Sequence, residues 1–168
     1  MTDVAATSRG STRRALRGAE AVHTAVRMLI ERAERTLAVY TPTLIPALLN
    51  STPATFALAQ FAVRRRHNTV RVLVDDAQQA LRDNDRLVQL SRRASDVIAW
   101  RETAPEDRGG SDLFLVADGR ACIYLPDRSR NDGEWAEVKD PLPVDLLKRF
   151  DALWERSQPA TALNPVGL

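Results

Sequence analysis

Apolar residues recur along the chain with two periods. Between Arg13 and Arg35 they fall at Val22, Ala25, Val26, Leu29, Ile30 and Ala33, the three- and four-residue spacing of one helix face. Thr36-Leu-Ala-Val-Tyr40 follows as a short run of strand formers, and Pro42 and Pro46 break the chain behind it. Ser51 or Thr52 ahead of Pro53 predicts an N-cap with a first-turn proline. The helix opened there carries Phe56, Ala59, Phe61 and Ala62 and ends in Arg64-Arg-Arg66, where positive charge complements the helix dipole. Val70-Arg-Val-Leu-Val74 predicts a strand closed by Asp75-Asp76. A third helix, Asp83 to Arg93, sets Leu87, Leu90 and Ala94 on one face, and Asp96-Val-Ile-Ala-Trp100 predicts another strand. Thr103 to Gly110 is polar and predicts an exposed loop.

Asp112–Ala117 and Arg120–Leu125 are strand-like runs joined by Asp118-Gly119. An Asp-Gly pair in that place predicts a hairpin, because both central positions of its turn need positive φ. Pro126 to Val138 reads as a polar loop with a short strand at Trp135–Val138. The last helix, Pro143 to Ser157, turns Leu146, Leu147, Phe150, Leu153 and Trp154 inward. Residues 1–11 form a flexible N-terminal tail, 12–157 one domain and 158–168 a C-terminal tail. No internal repeat is present. Alternating helices and strands predict a single α/β domain. Its sheet is expected to be mixed and mostly parallel, with helices on both faces and the hairpin as an antiparallel element beside Val70–Val74 or a neighbouring strand.

Composition narrows the class. The chain has 168 residues, 44% hydrophobic and 27% charged, which is a globular balance. No apolar run reaches a membrane span, and the N-terminus has no secretory core, so a cytoplasmic protein is expected. The one cysteine, Cys122, excludes an internal disulfide, and the two histidines, His23 and His67, leave little for zinc or histidine catalysis. No metal and no cofactor is expected. The net charge of +2 is unevenly spread: residues 1–101 carry 16 Arg against 9 carboxylates, and residues 102–168 carry 8 Lys plus Arg against 13. Arginine suits forked contacts to phosphate. An excess of 22 Arg over 2 Lys is also what a GC-rich genome yields.

The order Val70–Asp76, helix, Asp96–Trp100, then a strand ending in Asp118-Gly119 resembles one half of the phospholipase D superfamily, over roughly residues 20–157. In that family the catalytic strand reads His-x-Lys, four residues, Asp, six residues, Gly-Ser-x-Asn. Here the histidine position is Ser111, the lysine position Leu113, and the Gly-Ser-x-Asn positions are Leu125, Pro126 and Arg128; the aspartate alone matches, as Asp118. A serine hydroxyl without an adjacent base is a poor nucleophile, and leucine cannot neutralise phosphate. Losing both removes more than one catalytic contribution, each worth roughly two powers of ten or more. The resemblance therefore implies a degenerate branch without catalysis. The chain also resembles bacterial proteins with a C-terminal Phe-Asp-x-Leu-Trp-Glu-Arg-Ser signature, here Phe150–Ser157. Some of those are joined to acetyltransferase domains, which implies an accessory role. Active superfamily members pair two such halves, which implies a homodimer or a fixed protein partner near Ser111–Leu113. The apolar Leu113 and Pro126 suit that interface; Leu113 alternating into the domain's own core is the competing expectation.

The other candidates have two readings each. Asp118 is a relic of the catalytic aspartate or simply the turn residue. Asp75-Asp76 resembles the acidic pair of a bacterial receiver domain, which holds Mg²⁺ beside a phosphate-accepting aspartate; otherwise it is a strand-end turn and helix cap. Arg64, Arg65, Arg66, Arg92 and Arg93 end helices that precede strands. They form either a phosphate-binding face on one rim of the sheet or solvated helix ends. No aromatic residues interleave them, so base stacking is not supported. Cys122 is expected to be buried and inert. The reading that follows is a non-catalytic binding or scaffolding domain. The alternatives are a phosphodiesterase or nuclease using non-standard residues, and a phosphate- or nucleic-acid-binding module.

Overall fold

A computed structural model describes residues 13–163; the N-terminal tail expected at 1–11 lies outside them. The elements run β1 (Arg14–Arg17), α1 (Ala19–Arg32), β2 (Thr36–Tyr40), α2 (Pro46–Leu49), α3 (Thr52–Arg64) and β3 (Thr69–Val74). They continue with α4 (Ala77–Asp83), α5 (Asp85–Arg93), β4 (Ile98–Glu102), β5 (Leu113–Ala117) and β6 (Ala121–Leu125). β7 (Asp132–Ala136), α6 (Leu142–Arg156) and β8 (Gln158–Pro159) complete the described residues. The strands form one eight-stranded sheet in the order β1-β7-β6-β5-β2-β3-β4-β8.

This is a mixed α/β fold, but the expectation of a mostly parallel sheet is wrong. Only β2–β3 and β3–β4 are parallel; the other five pairings are antiparallel. A parallel pair needs a crossover, and only α2–α3 and α4–α5 serve as crossovers between adjacent strands. After β4 the chain returns through the loop 103–112, and β5 lies antiparallel along β2 with Val39 opposite Leu115. The Asp-Gly hairpin thus sits in the sheet one strand away from β3. Asp118 (φ 56°) and Gly119 (φ 65°) both occupy the left-handed region that its turn requires.

Helices cover both faces. α1, α3 and α5 pack over one face, which contributes Leu37, Val39, Val70, Val72, Leu115 and Ile123. α6 packs over the other, against Ala38, Tyr40, Leu73, Phe114, Val116 and Cys122. Residues 37–40 of β2 and all of β5 are buried on both sides, which is why their sequences are unbroken apolar runs rather than alternating ones.

The Phe150–Ser157 signature is the attachment of α6. Phe150 is fully buried and stacks on Trp154, with ring centroids 5.6 Å apart. Asp151 pairs with Arg71 at 2.9 Å, and the Arg71 guanidinium lies 4.9 Å from the Phe150 ring centroid. Arg101 covers Trp154 at 5.1 Å and donates to the carbonyls of Trp154 and Ser157. Arg156 makes two 3.0 Å bonds to Asp107. The C-terminal tail expected from 158 also needs correcting. Gln158–Pro159 pairs with β4, Ala160 N donates to Trp100 O, and Ala160 and Leu163 are buried. A two-residue strand has no periodicity to read; the two apolar side chains beyond it hold it down. Among the described residues, no helix is long and apolar enough to cross a membrane.

Candidate functional site

β2 is the point where the sheet changes character: β3 runs parallel on one side of it and β5 antiparallel on the other. Chain leaving β2 and chain entering β5 diverge there, which opens a crevice at the carboxyl ends of the parallel strands. A cleft of about 370 Å³ lies in that place, lined by Thr43, Ile45, Gly109, Gly110, Ser111, Leu113 and the Asp127–Ser129 loop.

The cleft walls are tied together by polar contacts. Asp75 accepts from the Thr103 hydroxyl at 2.6 Å and from Gly109 N at 2.8 Å, which pins the loop between β4 and β5. A Cβ at Gly110 would collide with the Tyr40 hydroxyl, so the close approach of that loop requires glycine. Arg128 donates through its guanidinium to Thr43 Oγ1 and through its amide to Ser111 O, both at 2.7 Å. Asp127 accepts from the Ser129 hydroxyl and amide, and these bonds hold its carboxyl below the usual range. Behind the cleft, Arg149 forks onto Asp112 at 2.5 and 3.0 Å and covers the rings of Tyr40 and Phe114. The Asp112 bond raises the Arg149 pKa, and burial pushes the Tyr40 hydroxyl up.

Of the positions read from the sequence, Ser111 and Leu113 line the cleft, with Ser111 exposed and Leu113 3% exposed in the core under α1 and α3. Burial of Leu113 within one chain removes its support for an interface there; Pro126 is exposed. Asp118 is at the other end of β5, and five residues of strand span roughly 17 Å. Its carboxylate accepts three backbone amides, Glu34 N and Arg35 N at 2.8 Å and Thr36 N at 2.9 Å. Asp75 and Asp76 are at the carboxyl end of β3, so the receiver-like set with Asp118 is not assembled. Asp76 caps α4 through Gln78 N and Gln79 N. Among the described residues, no three His, Cys, Asp or Glu side chains gather as a metal would need.

Arg64, Arg65, Arg66, Arg92 and Arg93 precede β3 and β4, on the rim opposite the cleft. Arg64 donates to Glu31 O and Ala33 O, closing the end of α1; the other four are exposed. His67 stands in the same turn with φ 69°, and His23 lies on α1 beside Ala47 and Ser51, so neither enters the cleft. The Arg128–Thr43 and Arg149–Asp112 pairs carry no local sequence signal, because their partners are distant in the chain.

Cys122 is fully buried, and burial pushes its thiol from 9.0 to about 12. At pH 8 only about one thiol in ten thousand would be thiolate. A disulfide reagent is expected to leave the native protein untouched and to react once urea unfolds it. Because the fold favours the neutral thiol, this stabilisation is present below pH 9.0 and is lost as pH rises toward about 12. Cys122→Ala is expected to flatten that alkaline decline, read from urea midpoints, by at most about 1.4 kcal/mol per pH unit.

The family model for DUF7931, a domain of unknown function, matches residues 18–166. The chain belongs to the DUF7931 family. No curated protein is similar enough in sequence to match it. Solved structures are similar in fold. Phosphatidylserine synthase from Haemophilus influenzae Rd KW20 aligns with a TM-score of 0.64 at 11% identity, over 94% of this chain and 41% of the synthase. The archaeal chromatin protein TrmBL2, described with a novel mode of DNA binding, aligns at 0.61 and 14% identity, over 88% of this chain and 54% of that one. NucT from Helicobacter pylori aligns at 0.56 and 9% identity, over 89% and 98%. The chain thus spans about half of the chromatin protein, less than half of the synthase and nearly all of NucT. The phospholipase D-like fold is shared with the synthase and NucT.

Proposed function

We propose that the protein is a non-catalytic binding domain on a phospholipase D-like fold, whose cleft receives a protein segment from a partner or from a second copy. The observation that carries this reading is the inward turn of Leu113. At the position that corresponds to the lysine of the phospholipase D superfamily, this side chain is 3% exposed and part of the hydrophobic core. Ser111 beside it contacts the backbone of Arg128 through its carbonyl and has no histidine nearby to take its proton. Arg128, the one guanidinium on the cleft wall among the described residues, is engaged by Thr43. What remains accessible is a shallow surface of hydroxyls and loop backbone with the half-exposed Ile45 and the exposed Pro126 at its edge. That suits one or two side chains of a docked segment.

Hydrolysis assays test the first half. Purified protein is expected to release no more nitrophenol from a nitrophenyl phosphodiester than buffer does, and to leave phospholipid and single-stranded DNA intact. Turnover that disappears in Ser111→Ala, with the variant still folded, would make the cleft an active site. Sedimentation at micromolar concentration tests whether the segment comes from a second copy. A dimer that dissociates in Ile45→Asp supports it; a lone 18.7 kDa species assigns the cleft to another protein.

A further inference from the structure

The end of the sheet opposite the cleft has a different character. The starts of β2, β3 and β4 lie side by side there, with Thr36 opposite Thr69 and Val70 opposite Ile98, and the β5–β6 turn lies beside β2. The residues leading into these strands bring Arg120, Arg35, Arg65, Arg66, Arg92 and Arg93 to one rim. All six are exposed, and none of them is in an ion pair among the described residues. The carboxylates at this end are Glu31, Glu34, Asp96, Asp118 and Glu137; Asp118 is occupied by three backbone amides, Glu31 pairs with Arg27 and Glu137 with Arg32. Arg71, Arg149 and Arg156, by contrast, each hold a carboxylate. Five of these six arginines come from the first 101 residues, the half of the chain with the excess of positive charge.

We infer that this rim binds the phosphate backbone of duplex nucleic acid without reading its bases. From β6 to β4 the rim crosses four strand spacings of about 4.8 Å, roughly 19 Å in all. A duplex advances about 3.4 Å per base pair, so the row of guanidiniums faces five to six base pairs of backbone. Arginine's fork fits phosphate oxygens, and unpaired guanidiniums need not give up an existing partner to bind. Among the described residues one exposed ring lies near the rim, Phe56, 65% exposed in a groove with Arg93, while Trp100 is fully buried and Trp135 is 2% exposed. A single ring gives no row of platforms for successive bases, which favours a duplex over a single strand. Six arginines set against the scattered exposed apolar side chains Phe56, Val63 and Val138 favour a polyanion over insertion into a lipid surface. This surface is independent of the cleft, so failure of either reading leaves the other standing.

Fluorescence anisotropy with a labelled random 20-base-pair duplex tests the inference. If the six arginines engage phosphate, log affinity falls against log salt with a slope near −5.4, roughly a thousandfold loss between about 50 and 200 mM. Arg65→Ser/Arg66→Ser/Arg92→Ser/Arg93→Ser is expected to weaken binding at low salt at least about tenfold and to flatten the slope by three or more. Arg17→Ser/Arg82→Ser, away from the rim, should bind as the native protein does. Thermal melts establish that each variant is folded; should the fourfold variant not fold, Arg35→Ser/Arg120→Ser should flatten the slope by about two. The inference is overturned by absence of duplex binding at low salt, by an unchanged slope in the rim variants, by markedly tighter binding of a single strand, or by binding to phosphatidylserine vesicles without binding to duplex.

Discussion

Phe150→Ala is expected to lower the unfolding free energy by about 4 kcal/mol, read from urea titration followed by tryptophan fluorescence. The ring is fully buried in the cluster that α6 forms with Ala38, Tyr40, Leu73, Phe114 and Val116. Among the described helices, α6 alone covers that face, so no second helix can collapse into the cavity. The ring is also the surface on which Trp154 stacks and under which the Arg71 guanidinium lies. For a domain with roughly 5–15 kcal/mol of stability the loss is a large fraction of the whole. Arg71→Met should cost less than about 1.5 kcal/mol, because its Asp151 partner is half-exposed and such pairs are weak. A loss below about 1 kcal/mol for Phe150→Ala would show that α6 is held by its ends and that the Phe150–Ser157 signature serves something other than packing.

Much of this fold was legible because its long elements bury one regular face. The spacing of Val22, Ala25, Val26, Leu29 and Ile30 predicts α1, and Ser51 with Pro53 predicts the start of α3, where Ser51 Oγ accepts from Ala54 N. The misreadings concern what neighbours decide. Arg14–Arg17 offers one inward apolar residue, Leu16, and is a strand only because β7 lies beside it. The predicted helix Asp83 to Arg93 is α5, and α4, which Asn84 separates from it, is missed from sequence alone. The buried Asn84 amide donates to Leu44 O, forty residues away, and to Ala80 O. The parallel sheet was inferred from alternation alone, whereas the partner of β2 on its second side is β5, reached only after the chain has completed β4. The cleft was hidden for the same reason: Thr43 and Arg128 meet across 85 residues of chain. Both arginine clusters were expected on one rim because each ends a helix before a strand. Arg35 and Arg120, which extend that rim, stand at a strand start and in a turn, where nothing local marks them.

Asp118→Ala is expected to destabilise the protein by about 3 kcal/mol, and Asp118→Asn by about 1 kcal/mol. The carboxylate sits on the hairpin turn but works across the sheet. Its Oδ2 takes Glu34 N and its Oδ1 takes both Arg35 N and Thr36 N, while its own amide donates to Thr36 O. These are amides of the segment between α1 and β2, which the helix and strand ladders leave unpartnered, so the aspartate does for this junction what a capping residue does for a helix. Alanine removes all three acceptors and must also hold φ at 56°, a region where a Cβ without a local hydrogen bond is strained. Asparagine tolerates that φ and keeps one oxygen, enough for Arg35 N and Thr36 N, but loses the charge and the bond to Glu34 N. A catalytic relic predicts another pattern. Its two variants would abolish a hydrolytic activity alike, with stability little changed. Urea midpoints of the two variants, measured beside phosphodiesterase assays, separate the cases. A graded loss of stability, alanine well below asparagine and both inactive like the native chain, places Asp118 in the frame. Equal midpoints with a lost activity would place it in an active site.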